Sequence, residues 1–370
     1  MRRVRPASIA IVLAVVLAAA VGGAAPARAD DSLSEGLGHY DAGRYAEAAE
    51  DFQALVASSP GFDYGYFMLG LAQLKLDHVA DARDSFAKAI SIRGDKFEYH
   101  ASLARAYWAS RDYALAVAVL NNAEPLAVTE PHRLAMLSLR GRCHAALGEW
   151  AAAAADLEGA RELGPVAPSE LFQLGQAYYK LGRYERAVPV LRDLEASGAA
   201  EPPALVLLAD SLVRLGAAAP TAEQKEPVYR EALYHAEHLL AQAPDTFEAH
   251  DLVGRAALGA GEPARAEEAF RAALAKKPDD CFARINLGKA ILAEERFEEA
   301  EAVLREAAAC APQIAAVHES LGFALRKQGR LEEALETYRR AFALEPTDSL
   351  GTAIEICGEE LAQKAAAPDE

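Results

Sequence analysis

One small side chain recurs in step through this chain. Ala48 is echoed by Ala82, Ala116, Ala153, Ala187, Ala232, Ala266, Ala300 and Ala334, and six of the eight steps are 34 residues long. The other two steps carry insertions of three and eleven residues. Twelve residues ahead of each alanine, or 23 ahead of Ala232, stands Gly36, Gly70, Ala104, Gly141, Gly175, Ala209, Gly254, Gly288 or Gly322. Only glycine or alanine fills that place. Self-similarity at a period of roughly 20–50 residues marks stacked supersecondary units, each burying its apolar face against its neighbours. Alanine, leucine and glutamate dominate and β-branched runs are scarce past the N-terminus, so the units read as all-α.

Units start at 29, 63, 97, 134, 168, 202, 247, 281 and 315, giving 29–62, 63–96, 97–130, 134–167, 168–201, 202–246, 247–280, 281–314 and 315–348. In the unit at 281, the first helix carries Ile285, Leu287, Gly288, Ile291 and Leu292 at helical spacing. A Glu-Glu-Arg turn follows, and Phe297 opens the second helix. Ala300, Leu304, Ala307 and Ala308 mark that helix's buried stripe, and Pro312 stops it. Where two such helices cross, glycine or alanine lets the backbones approach. Added methylenes there typically cost about 1–3 kcal/mol. The insertion at 217–231 holds Thr221-x-x-Gln224 and Pro227, and reads as a longer loop or an early-starting second helix. Residues 349–364 read as a capping helix and 365–370 as a disordered tail.

These residues resemble the tetratricopeptide repeat family. The likeness lies in Leu69-Gly70, Leu174-Gly175, Leu287-Gly288 and Leu321-Gly322, and in Gly-x-aromatic turns such as Gly43-Arg44-Tyr45 and Gly182-Arg183-Tyr184. The alanine row, with Phe52, Phe86, Phe270 or Tyr338 four residues beyond it, and the closing prolines Pro60, Pro165, Pro244, Pro278, Pro312 and Pro346 complete it. The resemblance implies a right-handed superhelical solenoid of about nine helical hairpins with a C-terminal capping helix. Ser32 and Glu35 depart from the pattern, as an atypical terminal unit does.

The resemblance also implies that first helices line a concave groove holding a partner's peptide. The ninth, twelfth and thirteenth places of each unit face it. Those 27 places hold nine basic residues, Lys75, Arg105, Arg142, Lys180, Arg214, Arg255, Lys289, Arg326 and Lys327, against two acids, Asp41 and Asp210. The chain as a whole has 38 basic and 55 acidic residues, so the asymmetry is local. Arg214 can pair with Asp210 and Arg255 with Asp251, four residues apart on one helix. Arg105, Arg142 and Lys289 have no acid at that spacing. Trp108, Phe172, Gln176, Tyr179 and Lys180 lie around the first two, and aromatic residues beside arginines are typical of interface hot spots. The expected partner is another protein, offering an extended acidic or carboxylate-ended segment to the third to fifth units. The family's carboxylate clamp is absent, its places reading Leu33, Leu37, Met68, Glu98 and Ser102.

Arg2, Arg3 and Arg5, the apolar run Ile9–Val21 and Ala27-Arg28-Ala29 read as a signal peptide over 1–29. The run is 13 residues, short for a bilayer span, and an uncleaved anchor is the alternative. An exported protein follows, in the bacterial periplasm first and secreted second, with no membrane span after cleavage. Cleavage discards four arginines and no acid, which takes the net charge from −17 to −21. Such a body repels phosphate backbones and anionic lipid, so nucleic acid is not an expected partner. Export places the four cysteines in an oxidising compartment. Cys281 opens one hairpin and Cys310 closes it, which reads as a disulfide or as two small apolar helix-end residues. Cys143 and Cys357 read as buried thiols.

Catalytic signatures are missing from the sequence: no phosphate loop, nucleophile elbow or CxxC occurs. No enzyme, cofactor or metal is expected. His39, His100, His144, His250 and His318 stand where the family has aromatic residues and are expected between helices. His235 and His238 could supply two metal ligands, but the sequence shows no third nearby. A scaffold or adaptor of the cell envelope is the first functional reading. A chaperone-like or saccharide-binding accessory factor is the second.

Overall fold

The computed structural model describes residues 27–366. Among the described residues there are nineteen α-helices, one 3₁₀ turn and no strand, as an all-α repeat requires. They fall into two compact units, one ending at Pro165 and one beginning at Val166. In the first unit, α1 (Ala27–Asp41) pairs with α2 (Tyr45–Ser58) and α3 (Asp63–Lys75) with α4 (Val79–Ile92). α5 (Phe97–Ala109) then pairs with α6 (Tyr113–Ala123), and α7 (Glu130–Leu147) with α8 (Trp150–Leu163).

The second unit pairs α9 (Pro168–Lys180) with α10 (Tyr184–Ala196) and α11 (Pro202–Ala218) with α12 (Ala222–Gln242). α13 (Phe247–Gly259) pairs with α14 (Pro263–Lys276), α15 (Cys281–Ala293) with α16 (Phe297–Cys310), and α17 (Ala315–Lys327) with α18 (Leu331–Leu344). α19 (Asp348–Ala366) packs on α18. The hairpins are numbered one to nine in this order.

Every member of the alanine row, from Ala48 to Ala334, has no exposed surface. The partner of the glycine row is a side chain, which sharpens the expectation of close backbones. A Cβ added at Gly36, Gly70 or Gly254 would come within 2.6, 2.7 and 2.7 Å of the rings of Phe52, Phe86 and Phe270. At Gly175 and Gly288 it would come within 2.6 Å of Leu191 and Leu304. Where the eighth place of a first helix is glycine, it is thus a socket for the residue four past the alanine on the second helix. In α19 the eighth place is Ile356, half-open to solvent, and no second helix follows among the described residues. Its neighbours Thr352, Glu355 and Glu359 are exposed and polar, as a terminal cap needs.

Each regular hairpin turns through one left-handed residue. Gly43, Gly148, Gly182, Gly261 and Gly329 take it with φ between 68° and 80°. Asp77, Arg111 and Glu295 hold the same place at φ 62°, 62° and 60°. A Cβ in this conformation costs roughly 1–2 kcal/mol, less for aspartate. Arg111→Gly combined with Glu295→Gly is therefore expected to raise the melting temperature, read by circular dichroism, and an unchanged or lower melt would count against strained turns.

The insertions are absorbed as helix. α7 begins at Glu130, capped by Thr129 Oγ1 accepting from the His132 N–H at 3.3 Å, four residues before the boundary read at 134. Of the two readings of 217–231, the early-starting second helix is the one observed. α11 runs on to Ala218 and α12 starts at Ala222, with Thr221 Oγ1 accepting from the Gln224 N–H and Pro227 inside the helix. α19 continues to Ala366, two residues into the stretch read as tail, while 367–370 lie outside the described residues, as do residues 1–26 of the signal-peptide reading. Cys281 and Cys310 are joined by a disulfide with Cα atoms 5.8 Å apart, and Cys143 and Cys357 are buried free thiols.

The histidines differ from expectation. Only His318 of the five is fully buried. His100, His250 and His318 instead reach six residues back to the carbonyls of Gly94, Pro244 and Pro312, at 3.0, 2.9 and 2.9 Å. Arg284 does the same to Pro278 at 2.5 Å. The fourth place of these units therefore pins the connector between hairpins. His39 and His144 pair with Asp51 and Glu149.

Candidate partner-binding surface

The ninth, twelfth and thirteenth places of successive first helices touch one another within each unit. In the first unit the Arg142 guanidinium lies 4.5 Å from the Trp108 ring centroid, and Trp108 packs on Tyr113 at 4.9 Å. Arg142 Nε is buried without a hydrogen-bond partner. Arg105 and Lys75, on the neighbouring first helices, are exposed, and among the described residues no ion pair reaches either of them or Arg142. Two acids of hairpin three are engaged elsewhere, Asp112 with Arg83 at 2.9 Å and Glu98 with His132 at 3.3 Å. Cations stacked on a ring and left without an acid are the elements of an anion-recognising surface.

The second unit spends its groove arginines on itself. The Asp210 carboxylate accepts from Tyr179 Oη at 2.5 Å and Arg214 Nε at 2.6 Å, and Arg255 Nη1 lies 2.8 Å away. Three first helices, α9, α11 and α13, thus converge on one carboxylate. Burial pushes the Asp210 carboxyl up, but the bonds from Tyr179 and Arg214 and the nearby Arg255 charge outweigh it and hold it below the usual range. Asp251 goes the other way. Burial raises its carboxyl, and Arg255, at 3.5 Å, does not compensate. Arg326 makes two bonds to Glu360 on α19, at 2.9 and 2.5 Å. Of the nine basic groove places, Arg214 and Arg255 are neutralised by the acids that their spacing allows, and Arg326 by Glu360.

The remaining site residues separate. Lys180 is exposed, Lys289 and Gln176 are half-buried, and no ion pair reaches either lysine among the described residues. Lys327 lies over the Phe323 ring at 5.5 Å. Phe172 lines a cavity of about 520 Å³ with Pro168, Leu194, Gly198, Pro203 and Ala204, away from Tyr179 and its partners. Arg105, Trp108 and Arg142 belong to one compact unit and Phe172, Gln176, Tyr179 and Lys180 to the other.

Sequence reading found no third group beside His235 and His238. Glu195 is that group: its oxygens lie 2.7 Å from His235 Nδ1 and 2.5 Å from His238 Nδ1. The trio ties hairpin five to hairpin six. Among the described residues no cluster of three or more His, Cys, Asp or Glu is arranged to hold a metal ion. Sequence reading also missed Tyr229, whose ring rests against Gly259. The available signal was Gly259 itself, the one glycine among the thirteenth places.

Carboxylates dominate the acid response of the second unit. Glu360 is held low by its bonds from Arg326, and in Glu267 and Glu301 arginine pairs outweigh the upward push of burial. A carboxyl depressed on folding lends stability above its unfolded value, about 4, and loses it as pH falls through the folded value. Asp251 has the opposite sign and is outnumbered. The melting temperature is therefore expected to fall steadily from about pH 4 downward, and a flat profile to pH 2 would contradict the pairing.

A family model described as "Tetratricopeptide repeat" matches residues 33–97, 102–168, 172–219, 229–281 and 252–315, and a second of the same description matches 315–348. No curated protein matches the chain. Among solved structures, MamA from Desulfovibrio magneticus is similar at 22% identity, covering 50% of this chain and 98% of its own, with a TM-score of 0.42. A thermophilic TPR protein of Thermus thermophilus is similar at 22% identity, covering 53% and 100%, with a TM-score of 0.39. Among the described residues no helix is long and apolar enough to cross a membrane.

Proposed function

The chain belongs to the tetratricopeptide repeat family, and from that premise we propose that it is a non-enzymatic scaffold or adaptor that captures an extended acidic segment of another protein. The observation that carries the reading is the Arg142 guanidinium on Trp108 with its Nε unpartnered, beside the acid-free Arg105 and Lys75. In a chain of net charge −17, such a patch on hairpins two to four selects for negative charge against its surroundings. The setting we propose is the cell envelope, the bacterial periplasm first and the secreted state second. Its support is the basic start, the apolar run and Ala27-Arg28-Ala29.

The Trp108–Tyr113 pair favours a second reading, a chaperone-like or saccharide-binding accessory factor that stacks envelope polymers on those rings. Salt separates the two. Capture through arginines weakens as ionic strength rises, whereas stacking on sugar rings is less affected. Pull-down from an envelope extract at 50 and 500 mM salt is the test. Loss of an acidic protein at high salt is expected, and salt-insensitive retention of a polymer would replace the scaffold reading.

A further inference from the structure

The interior of hairpin four holds a cation where its neighbours hold a hydrocarbon. The seventh place of the first helix reads Leu69, Leu103, Leu174, Leu208, Val253, Leu287 and Leu321 in units two, three and five to nine, and Arg140 in unit four. The Arg140 side chain is only 12% exposed. Its Nε and Nη2 donate to the two oxygens of Asp156 on α8, at 2.8 and 2.9 Å. Its Nη1 donates to Asn121 Oδ1 and Glu124 Oε2 at the end of hairpin three, both at 2.9 Å. One planar fork therefore spans the seam between two hairpins.

That seam is where the candidate surface is assembled. Trp108 and Arg105 belong to hairpin three and Arg142 to hairpin four, so the Arg142–Trp108 stack depends on how α7 sits against α5. The connector carries the three-residue insertion, and α6 and α7 pack less extensively than the helices at any other seam inside either unit. The fourth place of hairpin four is Leu137, which has no polar atom to pin the connector as His100 and His250 do. At the first turn of α7, His132 stacks on Phe97 at 4.6 Å. It lies ten residues from Arg142, about 15 Å along the helix. Arg140 lies two residues from Arg142 and roughly 200° around the same helix, so it faces the seam while Arg142 faces the surface.

We infer that Arg140 is a positioning residue for the capture surface: its fork fixes α7 against hairpin three and so holds the Arg142 guanidinium on the Trp108 ring. It acts through Arg142 rather than on the partner. Core stability does not require it, because a buried ion pair is often matched or bettered by apolar side chains of similar volume. Arg140 and Asp156 occupy the seventh and twenty-third places, where units three, five and eight carry leucine and valine. What such an apolar pair cannot do is bond to Asn121 and Glu124. This rests on the reading that an acidic segment is captured at Arg142 and Trp108.

Trp108 reports the stack once Trp150→Phe makes it the single tryptophan of the full chain. Two variants are compared with that background. Asn121→Ala with Glu124→Ala cuts the tie to hairpin three at two exposed residues and leaves the Arg140–Asp156 pair in the core. Arg140→Leu with Asp156→Val restores the regular apolar pair and is expected to melt no lower than the background. In both, acrylamide quenching of Trp108 is expected to rise about twofold, as one face of the ring loses its cation. Affinity for a synthetic peptide of nine glutamates is expected to fall about fivefold. Unchanged quenching in either variant, with full helical signal, would overturn the inference. Should the core variant lose helical signal, the surface variant decides alone. Raised quenching with no peptide binding, or with binding of equal strength in all three proteins, keeps the placement of Arg142 by Arg140 and sinks the capture reading.

Discussion

Gly288→Leu is expected to lower stability by about 3 kcal/mol, the upper end of the usual overpacking range. Helix propensity argues the other way, since leucine in place of a helical glycine gains roughly 0.8 kcal/mol. Sterics decide the sign. A Cβ at Gly288 already falls 2.6 Å from Leu304 Cδ2 and Cγ, before the rest of the side chain is added. Leu304 has no exposed surface and cannot swing into solvent. In a stack where each hairpin touches only its neighbours, the damage also loosens the contacts of α15 and α16 with hairpins seven and nine. Gly38, in α1, is the control: nothing lies within 4 Å of its would-be Cβ, so Gly38→Ala should stabilise slightly. Urea denaturation of both variants checks the pair. Equal and opposite shifts to those stated would show that the glycine row is not a socket.

Arg105→Glu combined with Arg142→Glu should abolish partner capture while leaving helicity intact. The change converts the unpaired cations of α5 and α7 into acids on a chain already at −17. Arg105 is exposed, so its reversal leaves the core untouched. Arg142→Glu also removes the stack on Trp108. Charge reversal at a contact replaces attraction by repulsion, and truncating one partner of a desolvated pair already costs about 2–5 kcal/mol, equivalent to some thirtyfold or more in affinity. The matched control is Arg214→Glu with Arg255→Glu, which breaks the Asp210 network. That variant should lose thermal stability and keep capture. A pull-down in which the first pair retains its partner would refute the placement of the surface in hairpins two to four.

The hairpins were legible because their signal is local and periodic. A glycine twelve residues before an alanine records a contact within one hairpin, and nine repetitions remove the ambiguity of one. The disulfide was one of two open readings on the same logic, since Cys281 and Cys310 sit at the two ends of a single hairpin. The electrostatics of the face were less readable. Arg214 with Asp210 is a spacing of four on one helix and was visible. The bond from Tyr179 to Asp210 spans 31 residues and that from Arg326 to Glu360 spans 34, so each depends on how neighbouring hairpins stack. The pairs of Arg214 and Arg255 with acids four residues away were legible, whereas the pairing of Arg326 with Glu360 was not. The role of Glu195 was hidden likewise, 43 residues from His238. Tyr229 keeps the register of Ala232, three residues before it as Tyr45 is before Ala48, so only the preceding stretch of the insertion was illegible.

Photo-cross-linking from position 105 tests the central functional claim most directly. A benzophenone-bearing residue replaces Arg105, or Asp84 on the exposed side of α4 as the comparison, and the full chain is irradiated in its native envelope. Position 105 should yield one dominant adduct to an acidic protein, diminished by added salt, and position 84 should yield little. Equal adducts from both positions, or adducts from 84 alone, would contradict capture on the first-helix face.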